Sequence, residues 1–370
     1  QASTNGEALS EIADQHELPQ VILDYRTLAK LTQLQQIAHM QHEAQHLVIE
    51  KAVGVTPSER YLVKLAARTF LDLWSYPGIF IDKRNAPTSE GKELADLLVV
   101  FGDDIVVFSD KSIEYRKHPA PNVAWCRWYR QAVAESVDQL RGAERLIKEH
   151  SGRLFVDRAC KVRFPIQLPP PTRARFHLVA VALGARRACA RHFGDGDGTL
   201  VIDPDIRGDD HKSPQSAHFR PFCIGDVNSG RTFVHVFDDT SLDIIMRELD
   251  TAGDLIEYLR ARASFLRSGE LHLSPSEGDL LSVYLTHGDE RGHSFPRPVA
   301  SGTSVPTRIA IKPGSYSDLL HQPEYQARQK ANQISYVWDD YINLHSGHIL
   351  AGTTPSILNS QPTVPLVEAV

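Results

Sequence analysis

Two short apolar runs, residues 97–101 (LLVVF) and 105–108 (IVVF), stand on either side of Gly102-Asp103-Asp104 and constrain the fold more than any other stretch of the chain. Each is too short for a helix or a membrane span and is rich in β-branched residues. Residues 92–111 (KELADLLVVFGDDIVVFSDK) are therefore expected to form a β-hairpin. Asp96 opens the first strand in this reading and Ser109-Asp110-Lys111 closes the second, so polar groups gather at the end remote from the turn. Carboxylates beside a lysine at a strand end can hold a hard cation and activate water. An ordinary hairpin with charged ends is the plain alternative.

Loop length decides which of these groups meet. With a two-residue loop of Asp103-Asp104, Asp96 lies opposite Lys111, Ser109 shares their face and Asp110 points away. With a three-residue loop, Gly102 to Asp104, Asp96 faces Asp110 and Lys111 leaves the site; a bulge near Ser109 brings all three together.

Upstream, Thr56-Pro57-Ser58-Glu59 starts a helix whose buried stripe is Leu62, Leu65, Ala66, Thr69, Phe70 and Leu73, with Glu59 in its first turn, where it complements the helix dipole. A helix with a glutamate, an acid on one strand, a short turn and an acid-x-lysine on the next strand resembles the PD-(D/E)XK restriction-endonuclease-like nucleases. The resemblance implies an α/β fold over residues 40–165, with a restriction-endonuclease-like mixed sheet flanked by helices. It also implies a bound divalent metal, magnesium or manganese, and metal-dependent hydrolysis of phosphodiesters in DNA. Carried over by residue, Asp96 takes the first acid and metal-ligand position, Lys111 the lysine that positions water and balances charge, and Glu59 the helix glutamate. Asp110 is the nearby acid available as a second ligand, and Gln139 matches only loosely a glutamine or lysine position on the following helix. The pattern departs at Ser109, two residues before Lys111, where the family has Glu, Asp or Gln. A nuclease-derived scaffold that has lost catalysis and binds nucleic acid or a protein partner is the alternative function.

The helix expected over residues 123–148 sets Trp125, Trp128, Val133, Val137, Leu140, Ala143 and Ile147 against the sheet. Arg127, Arg130, Gln131, Arg141, Arg145 and Lys148 lie on the other face, where cations beside a metal site can track a phosphate backbone. Such a local patch is needed because the 370-residue chain carries a net charge of −6, which argues against a tight nonspecific DNA binder. DNA is the expected partner, with a homodimer as an option for assembly.

Length suggests two or three domains, with residues 166–350 as a C-terminal α/β accessory region and 351–370, rich in Ser, Thr and Pro, as a partly disordered tail. In that region residues 153–157, 176–182, 231–237 and 307–312 read as strands. Helices are expected over 184–193, 242–249, 254–266 and 322–344, and residues 278–286 read as an apolar segment. Residues 203–219 read as a flexible loop whose His211 and His218 could add to the site. Gly194 to Gly198 lacks the later acids of a calcium loop and reads as a turn.

The four cysteines lie far apart with no CxxC pair, no apolar run approaches membrane-span length, and the first residues show no signal-peptide pattern. A cytoplasmic location and no membrane association are the expectations. Residues 3–31 (STNGEALSEIADQHELPQVILDYRTLAKL) read as two short amphipathic helices and resemble the thumb region of bacterial family A DNA polymerases. No palm or fingers signature follows, so residues 1–39 are read as a joined fragment, with Met40 as the expected start; a polymerase accessory is a further reading. His42 and His46 share a helix face without a third ligand.

Overall fold

The computed structural model describes residues 51–82, 90–194, 196–289, 292–298 and 308–350. The expectations for residues 1–39, for His42 and His46 and for the tail lie outside these. The chain divides into two compact units, Gln1–Leu47 and Val48–Val370, and every described element belongs to the second.

Helix α1 (Pro57–Thr69) starts with a capping box, in which the Glu59 backbone N–H donates to Thr56 Oγ1 at 3.1 Å and the Glu59 carboxylate accepts from the Thr56 and Val55 N–H groups. A single turn, α2 (Leu71–Trp74), leads into β1 (Ser75–Ile81), longer than the 79–81 expected from sequence. β2 (Lys92–Phe101) and β3 (Asp104–Ser112) complete an antiparallel meander. The chain then enters α3 (Pro121–Tyr129), a π-helical turn (Arg130–Ala134) and α4 (Glu135–Glu149), followed by β4 (Leu154–Phe155) and β5 (Arg175–Leu183). After α5 (Arg186–Phe193) come β6 (Val201–Arg207), β7 (Cys223–Asp226) and β8 (Val234–Phe237), then α6 (Ser241–Glu248) and α7 (Ala252–Ser268).

Six strands form one mixed sheet in the order β4-β1-β2-β3-β5-β8, with β5 parallel to both β3 and β8. The sheet therefore runs straight across residue 165, where the sequence suggested a domain boundary, because two of its strands come from the region expected to be an accessory. Both faces are covered. Leu98, Val100, Ile105, Val107, Leu178 and Ala180 pack under Trp125, Trp128, Val137 and Leu140 of α3 and α4. Leu97, Val99, Val106, Phe108, Val179 and Val181 pack under α1, α6 and α7. β3 and β5 are thus buried on both sides, which is why they read as unbroken apolar runs.

Several boundaries differ from the sequence reading. Residues 322–344 are two helices, Pro323–Asn332 and Tyr336–Leu350; the apolar segment at 278–286 is a helix, Glu277–Thr286; and the strand near 307–312 is confined to Ile309–Ala310. Part of the loop expected at 203–219 is strand β6. In the same stretch His211 is fully buried, stacked on Tyr129 and hydrogen-bonded to the Gly208 carbonyl and the Gly225 N–H. It is a core residue and not an extra site group.

Candidate active site at the fork between two strands

The hairpin turn sets the register. Phe101 pairs with Asp104, so the loop is Gly102-Asp103, one residue earlier than the two-residue loop expected and one shorter than the alternative. Gly102 has φ +57°, which suits the first central position of a type II′ turn and is a conformation most side chains resist. Continuing the register places Asp96 across from Ser109, not from Lys111 or Asp110 as either expectation had it. Since side chains alternate along a strand, Lys111 and Ser109 share the face of Asp96, and Asp110 points to the other face, as the two-residue loop reading expected. Nor does Asp96 open its strand, because β2 begins at Lys92.

The ladder between β2 and β3 runs from Phe101↔Asp104 to Leu97↔Phe108 and stops there. Each strand continues with its other neighbour: β2 pairs with β1 as far as Lys92, and β3 pairs with β5 as far as Ser112. The two strands therefore part like a fork. Asp96 sits in the crotch, where its Oδ2 accepts from the Asp110 backbone N–H at 2.5 Å and takes the place of a ladder carbonyl.

Groups from both faces of the sheet meet at this fork. From α4, Gln139 is a hydrogen-bond partner of Asp96, and its Oε1 accepts from Ser109 Oγ at 3.1 Å. On the α1 side, Ser58 is a hydrogen-bond partner of the Asp110 carboxylate, and Glu59 lies near enough to act on Asp96, Asp110 and Glu93 electrostatically. Burial pushes Asp110 up to about 6, with Asp96 and Glu59 adding to the rise and Ser58 and Lys111 opposing it. Asp96 is also raised, by burial first, against the Asp110 N–H and the Lys111 ammonium. Glu93, at the exposed rim, is raised by partial burial and then by Asp96 and Glu59.

Asp110 Oδ1 is buried without a hydrogen-bond partner, one of two such side-chain atoms among the described residues. An acceptor in that condition costs roughly 1–3 kcal/mol unless something supplies a positive partner. No three His, Cys, Asp or Glu side chains among the described residues converge to hold a metal unaided. Two carboxylates completed by waters are nonetheless a set that magnesium accepts, and every donor at the fork is a hard oxygen. Asp96 and Asp110 start from opposite faces, so such an ion would sit in the gap between the strands with both carboxylates turned into it; the unbonded Asp110 oxygen is the observation that favours it.

Of the sequence candidates, Asp96, Ser109, Asp110, Lys111, Glu59 and Gln139 all come to the fork. Glu59 is also occupied as a helix cap. Glu93 and Ser58 were missed; the only signal was Glu93 lying three residues before Asp96. The basic helix face is less uniform than its spacing suggested. Arg127, Arg130 and Arg145 are exposed, but Arg141 pairs with Asp138 at 3.4 Å and Lys148 with Glu144 at 2.6 Å. The cleft of about 600 Å³ beside α4 mixes Arg141, Arg145, Lys148 and Arg231 with Asp138, Glu144 and Glu149. Among the described residues no helix is long and apolar enough to cross a membrane. No protein-family model, no curated protein and no solved structure matches the chain.

Proposed function

We propose that the fork is the active site of a metal-dependent phosphodiesterase of the PD-(D/E)XK type acting on DNA. The observation that carries this reading is the placing of Asp96 and Asp110, one from each face and both raised from the ordinary aspartate value, beside the Lys111 ammonium at a gap in the sheet. A mixed sheet flanked by helices on both faces, with Glu59 on the preceding helix and Gln139 on the following one, supports it.

Asp96 and Asp110 would hold magnesium or manganese. Bound there, the ion would polarise a phosphate and lower the pKa of a water. Lys111, on the face of Asp96, orients that water and offsets charge building on the phosphate. Gln139 restrains Asp96 through one hydrogen bond and Ser109 through another.

The full chain incubated with supercoiled, linear and single-stranded DNA, with magnesium or manganese and with chelator, tests the reading. Cleavage should need the metal and fall about 100-fold or more in Lys111→Ala and Asp96→Ala, the scale of lost acid–base or electrostatic assistance. Cleavage by Lys111→Ala at the wild-type rate removes the lysine from the mechanism, and absence of metal-dependent cleavage on all three substrates ends the proposal.

One observation favours a second reading, a scaffold without catalysis. Ser109 stands where the pattern has an acid, is fully buried, and is satisfied by Gln139. That reading predicts no calorimetric signal for magnesium that Asp96→Ala abolishes.

A further inference from the structure

Beyond the fork, the chain leaving β3 and the chain leaving β5 stay together: Ile113 N–H donates to the Leu183 carbonyl at 3.1 Å and Tyr115 N–H to the Gly184 carbonyl at 3.3 Å. Gly184, at φ +100°, approaches so closely that a Cβ would lie 2.2 Å from the Ile113 oxygen, and Trp128 Nε1 donates to that same oxygen at 3.0 Å from below. This braced extension of the sheet floors a cleft of about 650 Å³. Arg116 and Lys117 line it from one strand exit, and Arg186, Arg187 and Arg191 from α5 at the other. All five are exposed, and none forms an ion pair among the described residues. Of the two carboxylates in the lining, Asp239 is already bonded to the Gly184 N–H, and Glu114 faces solvent. In a chain of net charge −6 this is a concentration of unpaired cations on a rigid base.

We propose that this cleft, and not the face of α3 and α4, grips the phosphodiester backbone of DNA next to the fork. The inference rests on the hydrolase reading of the fork for its substrate and deepens it by placing the substrate's path. Lys111 and Glu114 are three residues apart on extended chain, about 10 Å, which matches roughly three phosphates of one DNA strand along its axis. The exits of β3 and β5 are also the carboxyl ends of parallel strands, the edge where open α/β sheets receive ligands. The cleft beside α4 offers no equivalent, because its cations stand among three carboxylates.

Binding can be read without catalysis. Fluorescence anisotropy of a labelled DNA duplex, in chelator and over a range of salt, compares the full chain with Arg187→Glu/Arg191→Glu and with Arg127→Glu/Arg145→Glu. The first variant should bind about tenfold or more weakly at 0.1 M salt and show a log–log salt slope reduced by about 2, as expected when two phosphate contacts are lost. The second should change affinity less than about twofold, and circular dichroism should be unchanged in both. Wild-type affinity and slope in the first variant, a larger loss in the second, tighter binding of an RNA duplex than of DNA, or no DNA binding by the unaltered chain would each overturn the proposal. Binding that depends on the cleft in a chain that never cleaves would sink the hydrolase and leave the cleft assignment standing. Cleavage indifferent to Arg187 and Arg191 would do the reverse.

Discussion

Asp104 and Asp110 are buried to nearly the same degree, at 5% and 7% exposure, at opposite ends of the same strand, and they are treated in opposite ways. At the turn end, Asp104 accepts from His177 at 2.7 Å, from Arg175 at 3.0 and 2.6 Å, and from Arg260 at 3.3 Å. Although burial alone would raise it, those partners hold its carboxyl well below the usual range. At the fork end, Asp110 has one oxygen unbonded and a carboxyl pushed up to about 6. The sequence of this chain supplies two arginines and a histidine to one buried acid and leaves the other short. A buried acid completed by its own protein is a structural joint, whereas one left incomplete is available for a ligand.

The contrast can be broken most forcefully at the turn. Asp104→Ala orphans His177 and leaves two half-exposed arginines without their partner, so urea denaturation should show a loss of about 3 kcal/mol. The depressed value fixes the sign: Asp104 stabilises above the ordinary aspartate pKa, and its contribution fades as pH falls below that point toward the folded-state value. If Asp104→Ala denatures like the unaltered chain at pH 7, the joint is not one.

Asp110→Asn should act in the other direction. A carboxyl raised in the folded state binds its proton more tightly there than when unfolded, so stability declines as pH rises from about 4 through about 6. Removing the charge should therefore stabilise the chain on the order of 2 kcal/mol at pH 8 and by almost nothing at pH 4. Equal effects at both pH values would contradict the burial account. The same titration governs the ion: calorimetry should find magnesium bound about tenfold more weakly at pH 5 than at pH 7, because the ligand must be deprotonated. A flat profile would remove Asp110 from the ligand set.

The smallest effect belongs to Gln139→Ala, which deprives Asp96 and Ser109 of a neutral partner. It should cost about 1 kcal/mol in denaturation while weakening magnesium binding only a few-fold; an unchanged chain would make the Gln139 contacts incidental.

The hairpin and the covering helices were legible in the sequence because they are local: β-branched runs mark β2 and β3, and apolar spacing marks α1 and α4. Register was not legible. Asp104 looks like a turn residue beside Asp103, and only partners 71, 73 and 156 positions away make it worth burying inside a strand. The fork was hidden for a related reason, since nothing in residues 92–96 says that β2 leaves β3 to follow β1. The basic cleft escaped notice because Arg116 and Arg187 are joined only by the parallel pairing of β3 with β5, and parallel pairing has no local signature. By contrast, the five cations between residues 127 and 148 looked like a track while hiding the acids interleaved with them.

The opening between β2 and β3 lies at the seam where an antiparallel half of the sheet meets a parallel half. The paired ladder has ended there, and its two sides are tied instead by the Asp96 carboxylate on the Asp110 N–H and by Gln139 on Asp96 and Ser109. The spacing of the two strand ends thus hangs on side chains rather than on a rung of the ladder.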